Sequence, residues 1–374
     1  MSEQPLGLGL VGVGGFGVFC LAAFAEMREI KVTAVADLDV ERARAAAPAG
    51  AAVYQDYEAL IADPAVGVVA INTPPHLHAH MSIQAAQAGK HIFVEKPLAT
   101  SFNDAQNIIK AAEQNGVQFT VDYVLRFHPL YQLAMRVVHS GAFGVMRHFS
   151  LENFATDDSL LPGHWFWDPA QSGGIHVEHG VHFIDLCNHL TPCPPESASG
   201  TIQQREDGRM DRVSALVRYD DEALASFYHS FNQIRPVEQT TIRINCERGH
   251  ITLYGWIPTE LTLTGLTDKA GLAALQDILG SSLEIVERFE GAAAVFPHGG
   301  RTEILAASVR AAVSAPDRQG DYKRGIQAAL CGLVAAVRDS KPLEVTARDG
   351  LMSLAVALAA TESAHSGRII PVKS

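Results

Sequence analysis

A chain of 374 residues, 47% hydrophobic and 19% charged, is long enough for two domains and a sizeable core. Its formal net charge of −12 at pH 7 excludes the basic face that nucleic acid or an anionic membrane would require. Five scattered cysteines (Cys20, Cys187, Cys193, Cys246, Cys331), with no Cys-x-x-Cys pair, point to reduced thiols in a cytoplasmic protein and away from a disulfide framework or structural zinc.

The first apolar run ends in Gly12-x-Gly14-x-x-Gly17. It lacks a preceding basic region and is rich in glycine, so it reads as a first strand and not as a signal peptide. Val18–Met27 follows as helix and Ile30–Ala36 as strand, ending at Asp37, 20 residues after Gly17. Strand, glycine turn, helix, strand and acid form a dinucleotide-binding unit. Gly12 permits the tight turn, Gly14 lets backbone approach a pyrophosphate, and Gly17 lets helix and strand pack closely. Gly15 and Phe16 open the helix, whose N-terminal N–H groups attract the anion. Asp37 is placed to accept from an adenosine ribose hydroxyl, a charge-assisted bond worth about 1.5–3 kcal/mol. A carboxylate there repels a 2′-phosphate, and no arginine stands between Asp37 and Arg42, so NAD is favoured over NADP.

Alternation continues through Glu41–Ala47 (helix), Val53–Tyr54 (strand), Tyr57–Ala62 (helix), Gly67–Ile71 (strand), His78–Gln87 (helix), His91–Glu95 (strand), Asn103–Asn115 (helix) and Val117–Asp122 (strand). That predicts a doubly wound parallel sheet. Gly89 and Gly116 fall where helices should end. From about Arg147 the pattern changes to alternating runs, Arg212–Tyr219, Ala223–Phe231, Thr240–Cys246 and His250–Tyr254, joined by turn pairs Asp220-Asp221 and Arg248-Gly249. These predict a mostly antiparallel sheet, with helices Pro129–His139, His179–His189, Tyr322–Arg338 and Asp349–Ser363 on one face. The predicted fold is therefore α/β followed by α+β, with residues 1–124 binding dinucleotide and 125–374 binding substrate and mediating association. Thr267 to Gly320 mixes helical pieces such as Gly271–Leu279 with Pro297, Gly299, Gly300 and Pro316, and reads as a mobile excursion. No apolar stretch approaches about 18 residues, so no membrane span is expected.

Three clusters carry chemistry. Asn72-Thr73-Pro74-Pro75-His76-Leu77-His78 follows a central strand, where dinucleotides bind, and Thr73, Pro74 and His78 are candidate cofactor contacts. Glu95-Lys96-Pro97 also ends a strand, and Lys96 there can donate to a substrate hydroxyl or carry a proton. In Gly173 to Asp185, a helix from about Glu178 would set Glu178, His182 and Asp185 on one face as an acid/base group. His176, Glu178, His179, His182 and Asp185 are all metal-ligand types. Their order is not His-Glu-x-x-His, however, and no second ligand group stands elsewhere, so no metal is expected.

These clusters, in this order, resemble the Gfo/Idh/MocA oxidoreductases over nearly the whole chain. The resemblance extends to Arg126-Phe127-His128-Pro129 and to Trp165 ahead of Asp168-Pro169. It implies that Lys96 and His182 flank the hydroxyl being oxidised. His182 would take the proton as hydride leaves for nicotinamide, Lys96 would orient the oxygen beside Glu95 and the cofactor, and Asp185 would buttress the site. Arg126, Trp165, Glu178, His179 and Asp185 would face substrate. Three departures are visible: Glu178 replaces the family's Asp, Phe166 replaces an Arg after the Trp, and Val124 replaces an Asn. The implied function is NAD-dependent oxidation of a secondary hydroxyl on a cyclic polyol, sugar or glycoside by a homodimer or homotetramer. An NAD-retaining glycoside hydrolase, with Glu178 as extra acid/base, and a non-catalytic dinucleotide- or sugar-binding regulator are the alternatives.

Overall fold

The computed structural model describes residues 4–220 and 223–373. Asp221, half of one predicted turn, lies outside the described residues, while its neighbour Asp220 turns the chain with a positive φ of 47°.

The first part alternates β1 (Leu6–Val11), α1 (Gly15–Ala25), β2 (Ile30–Ala36), α2 (Val40–Ala46), β3 (Ala52–Tyr54), α3 (Tyr57–Ala62), β4 (Val68–Ile71), α4 (His78–Gln87), β5 (His91–Val94), α5 (Phe102–Asn115) and β6 (Phe119–Val121). All six strands are parallel, in the order β3-β2-β1-β4-β5-β6. The order reverses between β1 and β4, so the carboxyl ends of those strands open a crevice. β4 is buried along its whole length, as a central strand covered on both faces must be. Ser101 and Asp56 cap α5 and α3 through their side chains, and Gly116 ends α5 in the left-handed conformation.

The second part contains α6 (Pro129–His139), β7 (Met146–Thr156), α7 (Pro169–Ser172), α8 (Val181–Leu190), β8 (Ser197–Gln204), β9 (Met210–Tyr219), β10 (Ala223–Gln233), β11 (Gln239–Cys246), β12 (Gly249–Tyr254), β13 (Glu260–Thr267), α9 (Lys269–Leu279), β14 (Leu283–Arg288), β15 (Val295–His298), β16 (Arg301–Ile304), β17 (Ala307–Ser314), α10 (Arg318–Asp339), α11 (Ala347–Ser366) and β18 (Ile370–Pro371). Ten of these strands form one sheet, β14-β17-β13-β12-β11-β7-β10-β9-β8-β18. Its pairings are antiparallel except β7 with β10. In β10, Ala223, Ala225, Phe227, His229 and Phe231 all point inward and are buried.

Two expectations are corrected. Thr267 to Gly320 is no loose excursion: after α9, strands β14 and β17 extend the edge of the large sheet, and β15 and β16 pair as a hairpin. Gly299 and Gly300 turn that hairpin, Pro297 lies within β15, and Pro316 stands between β17 and α10. The helix expected from Glu178 instead begins with one turn of π-helix, His176–Gly180, before α8. That turn shifts the helical register upstream of Val181.

The last helices tie the two sheets together. α10 lies along α1, where Lys323 pairs with Glu26 at 2.7 Å and Gln327 Nε2 donates to the Ala23 carbonyl at 2.8 Å. α11 crosses the large sheet so closely that a Cβ on Gly200 would stand 2.1 Å from the Ala360 carbonyl oxygen.

Candidate active site

The glycine turn is shaped by contacts that forbid side chains. Gly12 has φ of 90°, and a Cβ there would lie 2.7 Å from the Asn72 carbonyl oxygen; a Cβ on Gly17 would lie 1.9 Å from the Gly12 carbonyl oxygen. At Gly14 and Gly15, by contrast, a Cβ would meet nothing within 4 Å, and no side chain caps α1. The turn thus presents bare backbone and a helix N-terminus to open space, which fits a pyrophosphate. Asp37, at the end of β2, accepts from Val13 N and Asp39 N, both at 2.9 Å. The Arg42 guanidinium stands 3.3 Å from the same carboxylate. Phe16 packs on Phe19 and Tyr322.

The next strand ends lie side by side. Asn72 N donates to the Val11 carbonyl, Glu95 N to that of Ile71 and Asp122 N to that of Val94. This ladder sets Gly12, Asn72–Pro74, Glu95–Lys96 and Asp122 along one crevice. His78 is fully buried and joins two of these loops, its Nε2 at 2.8 Å from the Thr73 carbonyl and its Nδ1 at 2.7 Å from the Pro97 carbonyl. Burial pushes its pKa down to about 4. His78 therefore holds the loops from behind and does not present itself to a cofactor. The Lys96–Pro97 peptide is cis.

Lys96 reaches from β5 to the π turn. Its Nζ donates to Glu178 Oε1 at 2.6 Å and to the Glu178 carbonyl at 2.9 Å, and both side chains are 10% exposed. Burial works to lower the Lys96 pKa, but Glu178 and Glu95 outweigh it and hold the ammonium above its ordinary value. Glu95, half-buried and accepting from the Lys96 N–H, is pushed up to about 7 by desolvation against the pull of Lys96. Asp122 is 1% exposed; burial and Glu95 raise it well above the usual carboxylate range, and neither of its oxygens has a hydrogen-bond partner.

His182 lies beyond Glu178, 4% exposed, with its ring edge-on to Trp256 at 5.5 Å and to His179 at 6.1 Å. Burial, then the charge of Lys96, lowers its pKa well below 6.5, so the ring is neutral and able to accept a proton. His179 is pushed down to about 4 by burial. Trp256 meets Tyr322 edge-on at 5.3 Å, and Tyr322 stacks on Phe19 at 5.4 Å. An aromatic file therefore links the glycine turn to His182.

Glu178, His182 and Asp185 do not act as one group: Glu178 is paired with Lys96, and Asp185 with Arg126. Asp185 is fully buried and locked to Arg126 in a bidentate pair, Nε to Oδ2 at 2.7 Å and Nη2 to Oδ1 at 2.6 Å. Arg126 also donates to Asp349 Oδ1 and the Glu344 carbonyl, both at 3.0 Å. With every charge satisfied inside the protein, Arg126 and Asp185 brace α8 against α11 and do not line the cleft. Trp165 sits in a separate aromatic cluster with Phe166, Trp167, Ile175, Val213 and Phe231, and α7 just after it packs on the Pro75–Leu77 turn. Among the described residues, no group of three or more His, Cys, Asp or Glu side chains is arranged to hold a metal ion. No helix among them is long and apolar enough to cross a membrane.

Three residues at the cleft escaped the sequence reading. Asp122 had a signal, since it ends the last predicted strand of the parallel sheet. Trp256 and Tyr322 had none, because a turn after β12 and the start of α10 reach the cleft only through tertiary packing.

Residues 6–123 match the oxidoreductase family with NAD-binding Rossmann fold named Gfo/Idh/MocA, and residues 131–252 match that family's C-terminal domain. This chain belongs to the Gfo/Idh/MocA oxidoreductase family. It is 30% identical over 307 residues to levoglucosan dehydrogenase of Pseudarthrobacter phenanthrenivorans, covering 71% of this chain and 78% of that protein. It is 26% identical over 313 residues to scyllo-inositol 2-dehydrogenase (NAD(+)) of Bacillus subtilis, covering 84% and 80%. The first curated relatives are matched over 63%, 69% and 51% of their own length. An oxidoreductase domain protein from Kribbella flavida has the same fold, with TM-score 0.79, 22% identity and 100% of both chains covered. So does a levoglucosan dehydrogenase solved with NADH and levoglucosan, with TM-score 0.78, 21% identity, and 99% of this chain and 100% of that one covered.

Proposed function

We propose that the protein is an NAD-dependent dehydrogenase acting on a secondary hydroxyl of a cyclic polyol, sugar or glycoside. The observation that carries this reading is a protonated Lys96, held by Glu178, next to a neutral His182 at the carboxyl end of the parallel sheet. NAD, when bound, supplies the hydride acceptor. His182 takes the hydroxyl proton, and Lys96 donates to the same oxygen and stabilises its developing negative charge. Glu178 holds the ammonium in place. Asp37 holds the adenosine ribose and disfavours a 2′-phosphate, while Gly12, Gly14 and Gly17 admit the pyrophosphate. The Trp256–Tyr322 pair excludes water from one side of the reacting centre. Leu216 and Leu224, exposed on the outer face of the large sheet, support assembly of two or four copies through that face.

The test is direct. Dinucleotide released on denaturing fresh protein is identified, and the stripped protein is titrated with NAD and NADP and assayed with a panel of polyols and sugars at the reduced-nicotinamide absorbance band. NAD binding with NADH formation supports the reading. Turnover of a glycoside without net NADH moves the assignment to the NAD-retaining hydrolase, and no dinucleotide binding overturns both. In the same assay, Asp37→Ala shifts preference toward NADP by about tenfold or more. An unchanged ratio removes Asp37 from the ribose site.

A further inference from the structure

Oxidising a hydroxyl breaks an O–H and a C–H bond. The hydride, with its electron pair, leaves for nicotinamide, and the proton on His182 must reach solvent before the next turnover. This inference rests on the dehydrogenase reading above. Lys96 is held by Glu178, and Arg126 is saturated by Asp185, so neither offers a way out from His182.

A file of imidazoles does. His182 Nδ1 is buried without a hydrogen-bond partner, and the next ring, His179, is centred 6.1 Å away with its own Nε2 buried and unpartnered. His229 on β10 follows, 5.4 Å from His179 and edge-on at 88°. It is 1% exposed, occupies an inward sheet position between Phe227 and Phe231, and neither of its ring nitrogens has a partner. A phenylalanine would fill that position without stranding two polar atoms, so packing does not explain the histidine. Gly180 brings the π turn down onto it: a Cβ there would stand 3.7 Å from His229 Nε2.

His176 comes next. Its Nε2 lies 3.3 Å from the Ser214 carbonyl, which can only accept, and its Nδ1 3.2 Å from the Thr361 hydroxyl, so a handoff from His229 requires this ring to release one of those contacts. Ser214 adjoins Val213, the cross-strand partner of His229. His176 then lines a cavity of about 130 Å³ shared with Trp167, Thr361 and the exposed His365. The π turn sends His176 to this cavity and His179 toward the cleft, so the file runs behind the turn from site to surface.

We propose that this file is a proton path: the proton taken by His182 leaves through His179, His229 and His176 to the cavity beside His365, while dinucleotide and substrate close the cleft. At each step one ring nitrogen accepts a proton as the opposite nitrogen releases one. Every imidazole returns to neutral with its tautomer exchanged, a half-turn of each ring resets the file before the next turnover, and the handoffs run directly or through one water. Burial lowers the pKa of all four rings, His176 and His179 to about 4 and the other two well below 6.5. Lys96 adds to this at His182 and His179, His365 adds to it at His176, and Glu178 opposes it at His179. None of the four rings is a sink that traps the proton.

The experiment follows NADH absorbance and a pH-indicator dye together, in dilute and in imidazole buffer, with a substrate found in the panel above. In the wild type, proton release keeps pace with NADH. In His229→Phe, the first-turnover rate of NADH formation is kept, proton release lags, kcat in dilute buffer falls about tenfold or more, and imidazole restores it. His365→Ala, a surface change that spares the core, gives a smaller lag with the same rescue. A kcat within twofold of wild type in both variants overturns the path. So does a loss that imidazole does not restore, which marks His229 as structural. A wild-type protein that forms no NADH with any compound overturns the dehydrogenase reading, and the path falls with it.

Discussion

At the scale of the residue, the site depends on charges that are buried in company. Lys96 and Glu178 share a 2.6 Å contact at 10% exposure, and removing one partner strands the other. Lys96→Met therefore lowers kcat by about 10²–10⁴, leaves the NAD dissociation constant within about threefold, and costs roughly 3 kcal/mol of stability. The double variant Lys96→Met/Glu178→Gln separates the two effects, because it recovers most of the stability in a denaturant titration but none of the turnover. Turnover restored along with stability would show that Lys96 only supports the fold. Lys96 and His182 were legible in the sequence because both stand in short motifs. The partners of Asp185 were not: an i, i+4, i+7 spacing describes a regular α-helix, and the π turn, together with Arg126 arriving from the loop after β6, gives that carboxylate a different neighbour.

At the scale of the element, the glycine turn and the strand ends matter more than any single side chain. A Cβ on Gly17 meets the Gly12 carbonyl at 1.9 Å, so Gly17→Ala forces α1 away from the turn. Dinucleotide affinity then falls about tenfold or more, and stability by about 1–3 kcal/mol. Isothermal titration with NAD and a thermal melt check both, and wild-type affinity would refute the close-packing role. Strand and helix boundaries of the parallel sheet were readable to within a few residues, since fully buried strands and amphipathic helices leave strong local patterns. Strands β7, β8, β13, β14 and β17 were not predicted. Their pairing joins segments far apart in sequence, as β7 with β11 does.

At the scale of the whole molecule, burial of titratable groups makes stability depend on pH. His78, His176 and His179 are lowered to about 4, and His182 and His229 are lowered well below 6.5. The unfolded chain binds protons on these rings near pH 6.5 and the folded chain only at lower pH, so their contribution is lost as pH falls from 6.5 toward 4. Glu95, raised to about 7, Asp185, raised to about 6, and Asp122, raised well above the usual carboxylate range, act in the opposite sense, losing stability as pH rises through their folded values. Five rings outweigh them, and the net loss on acidification is of the order of a few kcal/mol. The unfolding midpoint accordingly drops by about 5–10 °C between pH 6.5 and 4.5. A calorimetric midpoint that stays level or rises on acidification contradicts the neutral, buried state of these rings. By itself the sequence determined the dinucleotide-binding domain and the change to an antiparallel sheet, and it singled out Lys96 and His182 as candidates, because each is written in local periodicity or a contiguous motif. Tertiary structure alone decided that Asp185 pairs with Arg126, that α10 returns to bring Tyr322 to the cleft, and that His229 meets His179. Those contacts join residues dozens to hundreds of positions apart, and only chain packing chooses such partners.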